Sequence, residues 1–521
     1  MRSIRILSIG NSFSRDSFYY LPGLLREAGY DDVKAAYLAV GGCSIEKHLQ
    51  MALSGENYSY MKNTDGTWVS TESDMNAGLA DEDWDYIVFH QQTGASGKPE
   101  SLSCLDDLTG FVQERCTNPG VMFLWNMTWT FAKDYSREAF DYYGRDQMKM
   151  YEAIAGTVRS CIMTRKAFSG VVPTGTAFMN FRTSYFGDNA NEDGLHAGLY
   201  VGRFLAAMTF AAYLSGTDAN LLGKKYCPEF CHFYNMKAMR EAVNNAVEHP
   251  FDITPSSVIS KRRLRVLSAG DGRAMDSARY LWDFLNEKNI AATVGILVCG
   301  SDFSYSDSSY RKKSGPSGWT EKAASLEEAL NDERWDAVIL SGTPDDLVEN
   351  ELSPIAELLK KIRSDRRPKL LWNMTWAYKD GADVPGFEKY GNSRQLMYEA
   401  ILSNAKDRID PDRRVFSIIP SAVTVEIMRS SYLGDTITVN GVDLTEDIGS
   451  YAVSVTAAAY LTGIPAKKFH YLPENGKDEI EPVRMIINDA IYYAFRQPYK
   501  FRASKYIEKA ESGLDAGFGD R

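Results

Sequence analysis

Two short motifs, far apart in the sequence, contain the side chains that nucleophilic catalysis of hydrolysis requires. Ser12 follows an apolar run at residues 6–9 and precedes a helical pattern that begins near Asp16. Its hydroxyl is therefore expected at a strand-to-helix turn, where backbone N–H groups at the helix N-terminus can stabilise a developing oxyanion. Asp193 and His196 form a D-x-x-H motif, in which the imidazole can act as a general base and the carboxylate can fix its tautomer.

Each motif also has a purely structural interpretation. Ser12 or Ser14 can cap the helix that follows, which is a common role for serine. Asp193 can likewise cap a helix, with His196 as an incidental neighbour. Taken alone, the two motifs leave both interpretations open.

The elements that must hold these motifs alternate between strand and helix. Short β-branched runs at residues 6–9, 86–89 and 121–125 alternate with helical patterns such as residues 17–28 and 146–159. This alternation predicts an α/β fold with a mostly parallel sheet and helices on both faces. Ligand sites in such sheets lie at the carboxyl ends of the strands, so the turns after the strands are where chemistry is expected.

The sequence contains an internal repeat that fills most of its 521 residues. The hexapeptide LWNMTW occurs at residues 124–129 and again at residues 371–376, an offset of 247 positions. Further pairs at or near this offset are residues 150–154 with 397–401, 184–188 with 431–435, 211–214 with 458–461, 6–10 with 266–270, and 84–85 with 335–336. A repeat of this length predicts two homologous domains in tandem.

The boundary between the two copies is predicted near residues 252–262, where a Pro-Ser-Ser cluster precedes the first strand of the second copy. We therefore expect one domain at residues 1–255 and a second at residues 256–500. Residues 501–521 are predicted to form a C-terminal helix followed by a frayed tail. The second domain is expected to pack against the first, to shape its cleft or to form the surface of a homodimer.

The order and location of the two motifs resemble those of the SGNH (GDSL-like) hydrolase superfamily, whose members carry a nucleophilic serine in a GDS-like first block and a D-x-x-H motif in the last. The resemblance covers most of residues 4–216. It implies a flavodoxin-like three-layer α/β/α fold for each copy and ester hydrolysis through an acyl-enzyme. It also implies that Ser12 is the nucleophile, His196 the base and Asp193 its orienting partner. Asn11 replaces the family's Asp, and the resulting GNSFS variant is similar to an uncharacterised, DUF4886-like branch.

The same resemblance implies an oxyanion hole at Ser12 and Gly42, the latter chosen by its position in the second block. The third block departs from the family pattern. Where many members have G-x-N-D, this chain has HQQTG at residues 90–94, which is closer to the glutamine-containing block of sialate O-acetylesterase-like relatives. A glutamine amide can donate to an oxyanion as an asparagine does, so Gln91 or Gln92 is implied as a further donor.

The second copy has lost every polar residue of this set. Its equivalents of Ser12, Asp193 and His196 are Gly272, Asn440 and Asp443, and residues 341–343 (Ser341, Gly342, Thr343) replace the HQQ sequence. A merely structural Ser-Asp-His set would have no reason to vanish together. The comparison therefore predicts catalysis by the first copy and a second copy without activity.

Composition and charge exclude several classes of function. The chain is 44% apolar with a formal net charge of −11, so it repels polyanions, and no nucleic-acid partner is expected. The longest apolar stretch, residues 204–214, is too short to span a bilayer and predicts a buried helix. Residues 1–10 lack a signal-peptide pattern, and the seven scattered cysteines are typical of reduced thiols, so a cytoplasmic location without membrane contact is expected.

No metal or other cofactor is expected. The C-x-x-x-C-H sequence of Cys227, Cys231 and His232 lacks a second ligand pair at zinc-site spacing. Residues 270–272 do not complete a dinucleotide-binding fingerprint. Aromatic residues within 125–143 have two interpretations, a sugar-stacking wall or packing, and their retention in the second copy favours packing.

The function predicted for the first copy is hydrolysis of a small acyl ester. An O-acetyl group on a carbohydrate is the favoured substrate, because of the likeness to the sialate O-acetylesterase block. Esters or thioesters of longer acyl chains are an open alternative. Another alternative is a non-catalytic protein that binds a ligand, in which Ser12 only caps its helix.

Overall fold

The computed structural model describes residues 2–227, 236–259, 263–299, 308–342 and 368–508. The chain divides into two compact units, Met1–Ser260 and Lys261–Phe518. Within the described residues, each unit contributes a seven-stranded sheet with helices packed against it. The predicted α/β fold with two domains and mainly parallel sheets is confirmed.

The first sheet combines five parallel strands with an antiparallel edge hairpin. Its strands are β1 (Ser3–Gly10), β2 (Asp32–Ala39), β3 (Tyr58–Thr64), β4 (Thr67–Ser73), β5 (Tyr86–Phe89), β6 (Met122–Asn126) and β7 (Phe168–Val172). Across the sheet their order is β4-β3-β2-β1-β5-β6-β7. The pairs from β2 to β7 are parallel, whereas β3 is antiparallel to both neighbours. The five parallel strands thus follow the flavodoxin-like order.

The switch in strand order lies beside β1. After β1 the chain adds β2 on one side and later returns to add β5 on the other side. Ligands of open α/β sheets bind at the carboxyl ends of the strands, next to such a switch point. The residues that follow β1 and β5, beginning with Asn11 and His90, therefore lie where a site is expected.

The helices of the first unit lie between these strands and after the last one. They are α1 (Ser12–Phe18), α2 (Leu21–Glu27), α3 (Ile45–Ser54), α4 (Met75–Ala80), α5 (Leu105–Arg115), α6 (Gln147–Thr157), α7 (Thr174–Arg182), α8 (Val201–Ser215) and α9 (Met236–Glu248). Side-chain oxygens cap several of them. Ser44 accepts the N–H of Lys47 at the start of α3, and Asp146 accepts those of Met148 and Lys149 at the start of α6.

The helix predicted over residues 17–28 is two helices, and the first begins earlier than expected. Tyr19 and Tyr20 separate α1 from α2. Pro22 stands in the first turn of α2. Because proline has no N–H, it cannot continue the hydrogen bonding of α1, but it is well tolerated at the start of a new helix.

Helix α8 is deeply buried, and residues 201–212 are all buried. This confirms the buried helix predicted over residues 204–214. In the part of the chain that the structure describes, no helix is long and apolar enough to cross a membrane.

The second unit repeats the first. Its strands are β8 (Leu264–Gly270), β9 (Ala292–Val298), β10 (Ser309–Lys313), β11 (Thr320–Ala323), β12 (Ala337–Ser341), β13 (Lys369–Asn373) and β14 (Ser417–Ile419). Its described helices are α10 (Gly272–Ala278), α11 (Leu281–Glu287), α12 (Leu326–Asn331), α13 (Arg394–Asn404), α14 (Ser421–Arg429), α15 (Ile448–Thr462), α16 (Lys477–Ile480) and α17 (Arg484–Arg496). The strand order, β11-β10-β9-β8-β12-β13-β14, is the same as in the first sheet.

The segment predicted to join the two copies is part of the fold of the first unit. The Tyr185 N–H donates to the carbonyl of Val258 (3.1 Å), and the Ser256 N–H donates to Thr183 Oγ1 (2.7 Å). These bonds hold the segment against the end of α7.

The end of the second unit is built in the same way. The Tyr432 N–H donates to the carbonyl of Tyr506 (2.9 Å), and the Ser504 N–H donates to Ser430 Oγ (2.8 Å). The described part of the predicted C-terminal helix, residues 501–508, is therefore not helical. The rest of that prediction, residues 509–521, lies outside the described residues.

Candidate active site

Ser12 is the first residue of α1, and Asn11 immediately before it caps the helix. Asn11 Oδ1 accepts the N–H of Phe13 (3.1 Å), and Asn11 Nδ2 donates to the carbonyl of Cys43 (3.2 Å). Asn11 thus satisfies one of the unpaired N–H groups at the helix start and ties this turn to the loop after β2. The structural interpretation in which Ser12 is the cap does not hold, and the Ser12 hydroxyl bonds elsewhere.

The Ser12 hydroxyl, the His196 imidazole and the Asp193 carboxylate form a continuous hydrogen-bonded chain. Ser12 Oγ lies 2.8 Å from His196 Nε2, and His196 Nδ1 lies 2.6 Å from Asp193 Oδ2. Because a carboxylate only accepts, Nδ1 carries the proton, and Nε2 of the neutral ring accepts from Ser12. This is the arrangement in which an imidazole can remove a proton from a serine hydroxyl.

Asp193 also shapes the turn that carries the histidine. Its Oδ1 accepts the N–H groups of Leu195 (3.0 Å) and His196 (2.6 Å). Gly194, between Asp193 and Leu195, has a φ of +81°, a conformation that favours glycine. Helix α8 begins only at Val201, so Asp193 does not cap it, and the imidazole is held by local geometry.

Trp129 of the repeated LWNMTW motif contacts this turn and holds it in place. Trp129 Nε1 donates to the carbonyl of Leu195 (2.9 Å), and the ring is stacked between Phe13 (centroids 4.3 Å apart) and Phe178 (4.6 Å). Trp125 and Trp129 are both buried, so they pack in the core and do not form a sugar-stacking wall. Sequence reasoning did not place Trp129 at the site, although its exact recurrence in the second copy was a usable signal.

The pKa of His196 lies above its ordinary value. Burial alone lowers the pKa, because it disfavours the charged imidazolium. The hydrogen bond with Asp193 and the negative charge of Asp16 outweigh this effect and raise it. The His196 side chain keeps 25% of its surface exposed and that of Asp193 keeps 40%, so the site is open to solvent and to a ligand.

Asp16 was not among the predicted site residues, yet it directly contacts the loop that carries His196. Its carboxylate is completely buried. Oδ2 accepts the N–H of Ala197 (3.0 Å), and Oδ1 lies 2.8 Å from a guanidinium nitrogen of Arg203 on α8. The helix that carries Ser12 is therefore joined, one turn later, to the residue that follows His196.

Gly42 lies in the loop after β2, beside the Cys43 carbonyl that Asn11 holds. Its φ is +63°, and a Cβ at this position would meet nothing within 4 Å. The loop therefore leaves open space next to the Gly42 backbone, in which a ligand can be accommodated.

The side chains of Gln91 and Gln92 have different roles. Gln91 is buried, its Oε1 accepts the N–H groups of Ile45 (3.2 Å) and Gln92 (2.9 Å), and its Nε2 donates to the carbonyl of Ser101 (3.0 Å). These bonds fix the loop after β5. Gln92 is half-buried, and its amide has no side-chain hydrogen bond to any described residue. Of the two, Gln92 has the amide that is available to a ligand.

A second serine–histidine pair lies buried beneath the first turn of α1. Ser14 Oγ lies 2.9 Å from His90 Nε2 and 2.8 Å from Ser8 Oγ. Burial lowers the pKa of His90 to about 4, so the ring is neutral at physiological pH. Gly10 makes room for it, since a Cβ there would lie 2.0 Å from His90 Nε2. This pair was also missed from the sequence, because its members belong to different elements.

The second unit keeps the turn of the D-x-x-H motif without its chemistry. Asn440 Oδ1 accepts the N–H groups of Val442 and Asp443 (2.9 Å each), and Asn440 Nδ2 donates to Asp443 Oδ2 (3.0 Å). Trp376 Nε1 donates to the Val442 carbonyl (2.9 Å), as Trp129 does in the first unit. Gly272 and Asp443 supply neither a hydroxyl nor an imidazole.

Within the described ranges, no group of three or more His, Cys, Asp or Glu side chains is arranged to hold a metal ion. Of the C-x-x-x-C-H sequence, the Cys227 thiol contacts Met236 Sδ (3.6 Å), whereas Cys231 and His232 lie outside the described residues. Thr343 of the second copy also lies outside them.

Comparison with known proteins identifies relatives of this chain. The sequence profile of a family described as Domain of unknown function (DUF4886) matches residues 5–246 and 305–486. A crystal structure of a DUF4886 family protein from Bacteroides uniformis ATCC 8492 is 32% identical, with a TM-score of 0.47, and the match covers 50% of this chain and 100% of that one. An SGNH hydrolase candidate from Slackia heliotrinireducens is 19% identical, with a TM-score of 0.26, over 40% of this chain and 98% of that one. Curated proteins yield no match.

The two matched regions together cover more than half of the chain, and each falls within one of the compact units. The predicted relationship to the DUF4886-like branch is thereby confirmed. This chain belongs to the DUF4886 family.

Proposed function

We propose that the first unit is a serine hydrolase of the SGNH type that cleaves small acyl esters. The observation that carries this proposal is the unbroken chain from Ser12 Oγ to His196 Nε2 (2.8 Å) and from His196 Nδ1 to Asp193 Oδ2 (2.6 Å). Its first two members are 184 residues apart in sequence. Two residues meeting in this geometry at the switch point of an α/β sheet support a catalytic role over a capping role.

The proposed reaction has two steps. In the first, His196 Nε2 accepts the Ser12 proton while Oγ attacks the ester carbonyl, and the resulting imidazolium returns the proton to the departing alcohol. In the second, His196 takes a proton from water as the water oxygen attacks acyl-Ser12, and the imidazolium returns that proton to Ser12 Oγ as the carboxylic acid leaves. Asp193 stabilises the imidazolium in both steps and remains ionised.

The developing oxyanion needs N–H donors that are already in place. The backbone N–H of Ser12 lies at the start of α1, Gly42 borders open space, and the Gln92 amide is unoccupied by the described residues. We assign the oxyanion hole to these three groups. Gln91 acts indirectly, by holding the loop that carries Gln92.

For the substrate, we propose a small acyl group, such as acetyl, on a carbohydrate hydroxyl. The partial exposure of His196 and Asp193 and the open space at Gly42 leave room for a bulky alcohol. The glutamine block adds the likeness to sialate O-acetylesterase-like proteins. We propose no hydrolytic activity for the second unit, since Gly272, Asn440 and Asp443 cannot perform these steps.

The test uses the full chain, a fluorophosphonate probe and p-nitrophenyl acetate. The wild type should be labelled once, on Ser12, and should hydrolyse the ester, whereas Ser12→Ala should lose labelling and at least roughly 10³-fold of kcat/KM while remaining folded. Asp443→Asn, the equivalent of a His196 substitution in the second unit, is the matched control and should change neither readout.

Two outcomes would contradict the proposal. If the wild type and Ser12→Ala are labelled and turn over alike, Ser12 is not the nucleophile. If neither is labelled by the probe, the non-catalytic alternative takes precedence. A series of p-nitrophenyl esters from acetate to laurate then separates a small-acyl esterase from one for longer chains, since the former should lose kcat/KM as the chain lengthens.

A further inference from the structure

Asp16 is a carboxylate in an unusual place, completely buried and one helical turn after Ser12. Taking a charge out of water costs several kcal/mol unless it is paired and hydrogen-bonded. Arg203 Nη2, 2.8 Å from Asp16 Oδ1, and the N–H of Ala197, 3.0 Å from Oδ2, meet that cost. The Arg203 side chain is itself only 3% exposed.

The position of this pair links the two halves of the proposed active site. Residues i and i+4 of a helix lie on the same face, so Ser12 and Asp16 face the same side of α1. Asp16 holds the backbone at Ala197, the residue next to His196. Any shift of α1 relative to the loop that carries His196 would therefore stretch the bond between Asp16 and Ala197 as well as the bond between Ser12 and His196.

The charge of Asp16 also acts on the imidazole. It is one of the groups that raise the pKa of His196, second to the hydrogen bond that His196 donates to Asp193 among those with this effect. The other charged or titratable groups around Asp16 are Arg15 on the same helix, whose Nε lies 3.5 Å from Oδ1, and Tyr37 on β2. Of these, Arg15 lowers the pKa of His196.

The second unit contains an equivalent of Asp16 but not of Arg203. Asp276 is the equivalent of Asp16, and it still accepts a hydrogen bond from the backbone of Leu444, the equivalent of Ala197. The arginine is replaced by Ser450, whose Oγ donates to Asp276 Oδ1 (2.8 Å). Burial raises the pKa of Asp276 to about 6 there. The carboxylate that clamps the loop is thus kept in both units. Its arginine partner in the second unit is Arg279, which is 25% exposed and lies 3.9 Å from Asp276 Oδ1, so a close and buried arginine accompanies the carboxylate only where the histidine is present.

We infer that Arg203 and Asp16 are positioning residues: Arg203 keeps Asp16 charged, and charged Asp16 holds the His196 loop on α1 and stabilises the imidazolium. This inference rests on the proposed hydrolase function. A serine suffices to clamp the loop, as the second unit shows. The arginine is needed because His196 works by gaining a proton. Asp16 can stabilise the resulting imidazolium only if Asp16 does not take up a proton itself.

The decisive variant is Arg203→Ser, which gives Asp16 the serine partner that Asp276 has in the second unit. In the wild type, kcat/KM should fall at low pH with the uptake of one proton, by His196. In Arg203→Ser, Asp16 should also take up a proton, as its equivalent Asp276 does near pH 6, so the slope of log kcat/KM against pH should approach two below pH 6. Relative to its own value at pH 8.5, the variant should be about tenfold below the wild type at pH 5.

Three further variants separate this role from a merely structural one. Arg203→Lys keeps the charge and should keep the wild-type slope of one. The double variant Asp16→Asn/Arg203→Met removes both charges without leaving either one buried alone, and it should move the midpoint of His196 to lower pH with kcat reduced and KM unchanged. Asp276→Asn, the same change in the unit without a histidine, should leave the pH profile unaltered.

A second readout is independent of catalysis. The imidazole of His196 is titrated by NMR in the full chain with isotopically labelled histidine and assigned by His196→Gln. The expected result is a lower midpoint for His196 in Asp16→Asn/Arg203→Met than in the wild type. Equal midpoints, or an Arg203→Ser enzyme that melts earlier but keeps a slope of one, would overturn the inference. Failure of the proposed function appears differently, as turnover that does not depend on Ser12.

Discussion

Ser12 Oγ and His196 Nε2 lie within 2.8 Å of each other although 184 residues separate them in the sequence. Ser12 begins α1 just after β1, whereas His196 lies in the loop between α7 and α8. Helix α1 fixes one partner through its Asn11 cap, and the turn formed by Asp193 fixes the other. Each position is determined locally, and the fold brings the two together.

Labelling of Ser12 by a fluorophosphonate should depend on pH through His196. The imidazole must be neutral to accept the serine proton, and its pKa lies above the ordinary value of about 6.5. The rate should therefore fall as the pH decreases through a midpoint above that value, and it should level off at higher pH. The measurement is the second-order labelling rate from pH 5.5 to 9. A rate that stays constant down to pH 5.5 would contradict the assignment of His196 as the base.

Replacing Asp193 by Asn should abolish most of the activity while preserving the turn. The asparagine Oδ1 can still accept the N–H groups of Leu195 and His196, as Asn440 does for Val442 and Asp443 in the second unit. Its amide group would instead present a donor to His196 Nδ1, which favours the wrong tautomer. We expect kcat to fall by roughly 10²- to 10⁴-fold, with an unchanged far-UV circular dichroism spectrum.

Asn440→Asp is the matched control for that change. It introduces the carboxylate into the second unit, where no imidazole is present, and should leave turnover unchanged. If Asp193→Asn and Asn440→Asp have equal effects on turnover, Asp193 acts through stability and does not orient a base.

Gln91→Ala and Gln92→Ala should separate a structural glutamine from one that touches the substrate. The Gln91 side chain makes three hydrogen bonds, to the backbone of Ile45, Gln92 and Ser101, so its removal should lower the free energy of unfolding by roughly 1–3 kcal/mol. The Gln92 side chain makes no hydrogen bond to a described residue, so Gln92→Ala should retain stability. It should lower kcat by about 10- to 100-fold, since an oxyanion donor acts on the transition state. A Gln92→Ala enzyme with wild-type kcat would remove Gln92 from the oxyanion hole.

The parts of the fold that were predicted from the sequence are those with a local or repeated signal. The β-branched runs mark the parallel strands, and the offset of 247 positions marks the second unit. Ser12, Asp193 and His196 could be proposed as site residues because they lie in short motifs. The break before Pro22 also had a local signal, but the apolar pattern of residues 17–28 continues through it and favoured a single helix.

The contacts that were not predicted join side chains from different elements. Asp16 contacts Arg203 on α8. Ser14 contacts His90 after β5, at a position 76 residues further along the chain. No periodicity or spacing marks such pairs, because their burial depends on how helices and strands pack. The different roles of Gln91 and Gln92 likewise depend on backbone groups of other loops, so adjacent identical residues could not be distinguished by type.

The buried histidines should make the first unit sensitive to acid. Burial lowers the pKa of His90 to about 4 and that of His48 to about 3. The unfolded chain takes up these protons near pH 6.5 and the folded chain only at much lower pH, so stability is lost as the pH falls between these values. For each histidine the loss at pH 5.0 relative to pH 7.5 is about 2 kcal/mol.

His90→Ser, the residue of the second unit, tests this expectation because other titrating groups cancel in the comparison. Urea unfolding of both proteins at pH 7.5 and 5.0 gives the two differences in stability. The advantage of the wild type over the variant should shrink by about 2 kcal/mol at the lower pH. A difference that does not depend on pH would mean that His90 titrates alike in the folded and unfolded states.

The two equivalent tryptophans allow stability and activity to be separated within one chain. Trp129 donates its indole N–H to the carbonyl of Leu195, and Trp376 donates its own to the carbonyl of Val442 in the equivalent turn, at 2.9 Å in both cases. Replacing either by Phe removes one buried hydrogen bond and should lower the free energy of unfolding by roughly 1–3 kcal/mol. Only Trp129 holds the turn that carries His196. Trp129→Phe should therefore lower kcat by about tenfold through the misplaced base, whereas Trp376→Phe should leave kcat unchanged. Equal losses of activity in the two variants would show that global stability, and not the position of His196, controls the rate.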